Sequence, residues 1–218
     1  MAELRTEEEQ VEAIKNWWKE NGRSTVIGVA VAVIAVFGWR GWQDHQRQTA
    51  ENASVLYQSM VEKALVQPGQ TLSEEDRKSA EYMANQLKSD YQSTGYAQYA
   101  ALWLAKLQAD QGKLDAAKAE LKWLVEQKPE APIAQVAKLR MSQLLLAEGD
   151  AQAALTQLGS APEKGFEAAY FELKGDLLNA LGRAAEARQA YQSAQAADSS
   201  NARPLIAMKS GDLAGAGE

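Results

Sequence analysis

The stretch LKGDLLNALGRAAEARQAYQSA, residues 173–194, carries the pattern that decides the fold prediction. Gly182 separates two apolar-periodic halves, and Ala187 and Tyr191 follow it five and nine residues later. Glycine permits a tight turn because it adopts positive φ without steric cost, and a small alanine lets the second helix approach the first. Seven residues before the turn, Gly175 supplies another small residue where paired helices must cross. The stretch therefore predicts a helix-turn-helix unit.

The same spacing recurs twice upstream. Gly112, Gly149 and Gly182 are separated by 37 and 33 residues, and each ends an apolar-periodic stretch. The two upstream glycines are followed by alanine and then leucine at the corresponding positions, Ala117 with Leu121 and Ala154 with Leu158. A period of about 34 residues is typical of helical-hairpin repeats. The pattern resembles tetratricopeptide repeats, which we expect over residues 96–209.

The segments flanking these repeats are also predicted to lack strands, because β-branched residues are sparse after residue 42. Residues 43–95 predict a degenerate helical hairpin, with helices over about 44–66 and 73–89 and a turn around Pro68 and Gly69. Ser73, with Asp76 shortly after it, is typical of a helix start. We expect the tail SGDLAGAGE, residues 210–218, to be disordered. The predicted fold class is all-α, a helical-hairpin solenoid behind a single N-terminal transmembrane helix.

That transmembrane helix is predicted from the uncharged run STVIGVAVAVIAVFGW, residues 24–39. Two tryptophans stand on either side of it, Trp17 and Trp18 before and Trp39 and Trp42 at its end, as in the aromatic belts of membrane proteins. We place the transmembrane helix at 24–42 and an amphipathic arm at 1–23. The alternatives are a cleaved signal peptide, disfavoured by the acidic start and bulky residues after the run, and a buried core helix, disfavoured by the missing polar stripe.

Basic residues predict the orientation of this helix. Four lie before the span and two shortly after it: Arg5, Lys15, Lys19 and Arg23, then Arg40 and Arg47. By the positive-inside rule the N-terminus faces the cytoplasm, and residues 43–218 face outward. Within the span, Gly28 and Ala32 lie four residues apart and predict a face that packs on another membrane helix. A plain anchor with no helix partner is an equal alternative.

Composition excludes several functions. The chain has 23 Lys and Arg against 29 Asp and Glu, a net charge of -6, so it lacks the broad basic field that nucleic-acid binding needs. It has no cysteine and one histidine, His45, which leaves no thiolate or multi-histidine metal site. No glycine-rich phosphate loop or serine nucleophile motif occurs either. We expect no catalytic residues, no metal and no cofactor, with His45 an exposed linker residue or a pH-sensitive contact.

The repeats predict a groove lined by the first helix of each hairpin, the surface on which solenoids commonly bind partners. The candidate partner-binding residues are Tyr99, Leu102, Lys106, Leu139, Gln143, Glu172, Asp176 and Asn179. Glu172 and Asp176 share a helix face and would suit a basic peptide, although a solvated face is the simpler interpretation. The apolar members would suit weak contact with nonnative chains, or they simply pack neighbouring repeats.

Taken together, the two halves resemble the YfgM family of ancillary SecYEG translocon subunits. The resemblance rests on QVEAIKNWWKENGR before the span, GWRGWQDHQ at its end and LKGDLLNALGRAAEARQAYQSA late in the chain, and it covers about residues 10–197. It implies a single-span bacterial inner-membrane protein with a periplasmic tetratricopeptide-like domain. It also implies the SecYEG translocon and a PpiD-type chaperone as partners, secreted proteins as clients, and no catalytic residues.

The sequence leaves two other functions open. One is a scaffold of the cell envelope or of cell division that uses the same repeats for different partners. The other is an enzyme with an unrecognised helical active site. The function that the resemblance implies is a membrane-anchored adaptor of the translocon that assists trafficking or folding of secreted proteins. The identity of the bound partners separates this adaptor from the scaffold.

Overall fold

The computed structural model describes residues 7–65, 72–159, 162–198, 203 and 205–215, and every regular element in these ranges is an α-helix. The helices are α1 (Glu7–Ala64), α2 (Glu74–Asp90), α3 (Gly95–Asp110), α4 (Leu114–Glu126), α5 (Ala131–Ala147), α6 (Ala151–Leu158), α7 (Glu167–Ala180), α8 (Ala184–Ala197) and α9 (Leu205–Gly215). The chain divides into two compact units, Met1–Glu51 and Asn52–Glu218. The all-α prediction is confirmed.

The first unit contains the part of α1 that is long and apolar enough to cross a membrane. Its large apolar side chains are exposed, with Ile34 at 71% and Phe37 at 67% relative accessibility. A core helix of a soluble domain would bury these side chains, so their exposure argues against that alternative. The rings of Trp39 and Trp42 contact each other at one end of the run, tilted by 36° with centroids 5.1 Å apart.

Helix α1 is longer than any one predicted segment. Within the described residues, positions 7–23 of the predicted arm, the predicted transmembrane helix 24–42 and positions 44–64 of the first predicted hairpin helix all belong to the single helix Glu7–Ala64. The first proline of the chain is Pro68, so no residue inside α1 lacks a backbone donor. The turn predicted around Pro68 and Gly69 lies outside the described residues.

In the second unit, the end of α1 packs against α2. Ala53 and Met60 are fully buried in one cluster with Ala80 and Ala84 of α2. Helix α2 starts as predicted, because the Ser73 hydroxyl oxygen accepts a hydrogen bond from the backbone N–H of Asp76 at 3.1 Å. This N-cap satisfies one of the donors that the first helical turn leaves free.

The three following hairpins share one turn geometry. Gly112, Gly149 and Gly182 have φ of +74°, +87° and +73°, the left-handed region that favours glycine. After each of them, the next backbone N–H bonds to the carbonyl five residues earlier, at 2.9, 3.0 and 2.9 Å respectively. This bond is typical of helices that end on a left-handed glycine. The predicted turns are confirmed.

Small residues let the hairpin helices approach closely. Ala117, Ala154 and Ala187 are all fully buried. At Gly175, an added Cβ would lie 2.4 Å from Cε1 of Tyr191, so only glycine fits beneath that ring. The predicted crossing of α7 and α8 at this position is therefore observed.

The predicted disordered tail is wrong for residues 210–215, which continue α9. Ile206 of this helix is 1% exposed and packs in one cluster with Leu178, Ala187 and Ala190. Burial of an apolar side chain on the last hairpin stabilises α9, and its ion pairs to α7, described below, add to this. Residues 216–218 lie outside the described residues.

Candidate functional site

The first helices of the hairpins, α3, α5 and α7, border two cavities that we call the groove. The first cavity, of about 420 Å³, lies between α5 and α7 and is bordered also by Arg203 and Lys209. The second, of about 300 Å³, lies between α3, α4 and α5. Arg140 and Gln143 of α5 border both cavities, so the two spaces meet at this pair of residues.

Five of the eight predicted groove residues line these cavities. The first cavity contains Leu139, Gln143, Glu172 and Asp176, and the second contains Lys106 and again Gln143. Leu139 is only 8% exposed and belongs to the core cluster of α5, α6 and α7. It therefore contributes more to repeat packing than to an open binding surface.

Tyr99, Leu102 and Asn179 line neither of the two cavities. Tyr99 is 45% exposed and contacts the ring of Tyr57, with centroids 6.0 Å apart. Leu102 is partly buried against the core between α3, α4 and α5. Asn179 is exposed near the end of α7.

The two predicted groove carboxylates are paired with basic residues of the same chain. Glu172 forms ion pairs with Arg203 and with Lys209, the latter at 3.0 Å. The Lys209 Nζ also lies 2.9 Å from the Asp176 carboxylate, and Tyr191 donates its hydroxyl hydrogen to Asp176 at 2.8 Å. The two carboxylates are therefore already paired with two basic side chains, Lys209 of α9 and Arg203 just before α9.

Electrostatics of this cluster favour the charged forms of Glu172 and Lys209 and the neutral form of Tyr191. Burial opposes ionisation of Glu172, but hydrogen bonds from Lys209 and Arg203 outweigh it and hold the pKa of the carboxyl below its usual value. Burial likewise opposes the charge on Lys209, yet hydrogen bonds to Asp176 and Glu172 raise the pKa of this ammonium. Burial and the hydrogen bond to Asp176 also raise the pKa of the Tyr191 hydroxyl. The cluster is therefore a stable neutralised contact near pH 7.

Arg140 was not among the predicted groove residues. Its Nε is buried, and the side chain has no hydrogen-bond or ion-pair partner among the residues that the structure describes. The sequence did contain a signal for it, because Arg140 lies four residues after Val136 and three before Gln143, on the same helix face. All three residues border the first cavity.

The other cation of the second cavity is already paired. Lys106 lies 2.5 Å from the Asp110 carboxylate, one turn further along α3. Both charged residues border the second cavity beside Arg140. The pairing leaves Arg140 as the cation without a carboxylate partner among the described residues that border this cavity.

Within the described ranges, no group of three or more histidine, cysteine, aspartate or glutamate side chains is arranged to hold a metal ion. His45 is exposed on α1, and its backbone carbonyl accepts a hydrogen bond from the Thr49 hydroxyl at 2.9 Å. The groove itself is bordered by both charged and apolar side chains.

Comparisons with known proteins cover almost the whole chain. A family described as "Tetratricopeptide repeat-like domain" matches residues 15–215. The chain is 32% identical over 195 residues to an "Ancillary SecYEG translocon subunit" of Aggregatibacter actinomycetemcomitans, covering 89% of this chain and 91% of the relative. Proteins of the same name from Escherichia coli, 30% identical over 88% of both chains, and Haemophilus influenzae, 27% identical over 95% and 97%, are also similar. No solved structure gives a significant match.

Proposed function

Because this chain belongs to the tetratricopeptide repeat-like family of ancillary SecYEG translocon subunits, we propose that it is a membrane-anchored adaptor of the Sec translocon. The observation that carries the proposal is the extent of the similarity. Relatives of that name align over about nine-tenths of both chains, so the apolar helix and the repeats are shared together. No catalytic role is part of the proposal.

The membrane helix supplies the attachment. Residues 24–42 span the inner membrane once, with the arm 1–23 in the cytoplasm and the repeats in the periplasm. The excess of basic residues before the span supports this orientation. Gly28 and Ala32 form the face that packs on a translocon helix, and both are exposed on α1.

The repeats supply the binding surface. We propose that the groove binds secreted client chains and that another surface of the repeats binds a membrane-anchored chaperone of the PpiD type. Tethering at the translocon raises the effective concentration of the groove around emerging chains, so weak contacts suffice. In this proposal the degenerate helical hairpin, residues 43–95, connects the membrane helix to the client-binding repeats, residues 96–209.

Affinity purification of the full chain from mildly solubilised membranes tests this proposal. A variant whose span 24–42 is replaced by an unrelated transmembrane helix is the control, and mass spectrometry identifies the bound proteins. We expect translocon subunits and the PpiD-type chaperone to co-purify with the wild-type chain. We expect the translocon subunits to be absent from the purification of the span-exchanged variant.

Other partners would change the conclusion. Recovery of division proteins or unrelated envelope proteins in place of translocon subunits would favour the scaffold function. Recovery of translocon subunits that is unaffected by the span exchange would move the attachment from the membrane helix to the repeats.

A further inference from the structure

The charge that remains unpaired in the groove is positive, although the whole chain carries a net charge of -6. The first cavity is bordered by three cations, Arg140, Arg203 and Lys209, and by the carboxylates of Glu172 and Asp176. Arg203 and Lys209 pair with these carboxylates. Arg140 is the cation that has no carboxylate partner among the described residues bordering the first cavity, and the same holds for the second cavity.

Leaving Arg140 unpaired costs free energy. One of its donors, Nε, is buried without an acceptor among the described residues. A buried donor without a partner loses its hydration without compensation, and the loss is larger for a charged group. Folded proteins rarely keep such a group unless a ligand or solvent supplies the acceptor.

The chemistry of the side chain defines that ligand. A guanidinium is a planar fork of donors that fits the two oxygens of a carboxylate. Around it, the cavities are bordered by apolar side chains that are not buried, Val136 and Ala169 in the first cavity and Leu114 and Ala147 in the second. An extended segment with a carboxylate between aliphatic side chains complements this arrangement in both charge and polarity.

We propose that Arg140 binds a carboxylate of an extended protein segment lying in the groove, so that the groove selects acidic over basic segments. The inference rests on the proposed function in one respect, namely that the groove takes up protein chains. It specifies the ligand chemistry that the proposed function leaves open. It also replaces the basic peptide expected from Glu172 and Asp176, because those carboxylates are already occupied by Arg203 and Lys209.

Binding of three model peptides to the purified full chain tests the proposal. Each is a nonapeptide of alternating leucine and serine with an uncharged dye, and binding is read as fluorescence anisotropy in neutral detergent. The first peptide is capped at both ends and has a central glutamate, and the second has glutamine there. The third is the glutamine peptide with a free C-terminal carboxylate, which separates side-chain from terminal carboxylates.

We expect the wild-type chain to bind the glutamate peptide, the terminal-carboxylate peptide or both about tenfold more tightly than the capped glutamine peptide. Arg140→Gln should remove this preference, and Arg140→Lys should keep part of it because lysine retains the charge without the fork. Lys138→Gln is the matched control. It removes one positive charge from the same helix at a residue that borders neither cavity, and it should leave the preference intact.

Several results would overturn the inference. One is equal binding of all three peptides to the wild-type chain, and another is no binding of any peptide. A third is a loss of preference in Lys138→Gln as large as the loss in Arg140→Gln. If circular dichroism shows that Arg140→Gln does not fold, the peptide preferences of the wild-type chain and of Arg140→Lys still test the inference. Translocon subunits should co-purify with Arg140→Gln as they do with the wild-type chain. If they do not co-purify with the wild-type chain, the proposed function is wrong, whatever the peptides show.

Discussion

Tyr191 connects the packing of the last hairpin to the charges of the groove. Its ring covers Gly175 of α7, and its hydroxyl donates to Asp176, the next residue along that helix. The ammonium of Lys209 lies 6.0 Å from the centroid of the same ring. Three kinds of contact, steric, hydrogen-bonded and cation–π, therefore meet at one side chain.

Replacing Gly175 should destabilise the repeats. A Cβ at this position would overlap the Tyr191 ring, so we expect Gly175→Ala to lower the free energy of unfolding by about 2 kcal/mol, the usual cost of overpacking a core. Urea denaturation of the full chain in mild detergent, followed by circular dichroism, measures the change. Gly95→Ala is the control, because a Cβ there meets no atom within 4 Å.

A double-mutant cycle identifies the cause of this loss. In a Tyr191→Leu background the overlap is reduced, so Gly175→Ala should lower the free energy of unfolding by clearly less than it does in the wild-type chain. Equal costs in the two backgrounds would show that the ring is not what excludes the methyl group.

Docking of α9 should depend on pH at both extremes. The lowered pKa of Glu172 stabilises the docked helix above about pH 4.3, and this contribution is lost as the pH falls through the lowered value. The raised pKa of Lys209 contributes fully below about pH 10.4 and is lost as the pH rises through the raised value. Docking should therefore be constant near neutrality and weaken at acid and alkaline pH.

A fluorophore on α9 measures this dependence. The chain has no cysteine, so Gly211→Cys, at an exposed position, gives a single labelling site whose anisotropy reports the mobility of the helix. In the variant with Glu172→Gln and Asp176→Asn, the acid transition should disappear. An identical acid transition in both proteins would show that the carboxylate pair does not hold α9.

Residue identity alone predicts some of these features and not others. Gly182 and Ala187 could be predicted from the sequence because a turn and a close crossing require small residues at fixed local spacing. The pairing of Glu172 with Lys209 joins residues 37 apart, and no local pattern encodes it. Helical spacing from Val136 and Gln143 places Arg140 on the groove face, but no local pattern shows that it is unpaired, because the pairing of a cation depends on all the neighbouring helices.

At the scale of elements, the three hairpins from α3 to α8 follow the sequence pattern closely, whereas α9 does not. The repeats have a period, and the period fixes both the turns and the buried faces. The end of the chain, SGDLAGAGE, is rich in glycine and has low intrinsic helix propensity, which indicates disorder. Tertiary packing of Ile206 and the ion pairs of Lys209 override this local preference.

The transmembrane helix carries a prediction about one of its faces. If Gly28 and Ala32 pack on a translocon helix, then Gly28→Leu combined with Ala32→Leu should strongly reduce co-purification of translocon subunits. An added Cβ at Gly28 meets no atom of the chain within 4 Å, so the change should not disturb α1 itself.

The matched control carries the same added volume on the opposite face of the helix. Ala30→Leu combined with Gly41→Leu also enlarges one alanine and one glycine, and Gly41 is equally open. We expect this variant to keep its partners. Equal losses in both variants would indicate a general effect on insertion, and no loss in either would indicate a plain anchor.

At the scale of the whole molecule, the proposed orientation predicts a protease pattern. With the outer membrane permeabilised, added protease should digest the outward-facing residues 43–218 and leave an N-terminal tag protected until the inner membrane is opened. Immunoblotting against tags at the two ends measures this. Digestion of the N-terminal tag before the inner membrane is opened would show the opposite orientation, with the repeats on the side of the membrane away from the emerging secreted chains.

Photo-crosslinking in intact cells tests whether the membrane helix attaches the protein to the Sec translocon. A photoreactive amino acid at Gly28 samples the proposed contact face, and the same amino acid at Gly41 samples the opposite one. We expect an adduct with a SecYEG subunit from position 28 and much less from position 41. Adducts only with proteins outside the translocon, or none from either position, would show that this helix face does not contact the translocon.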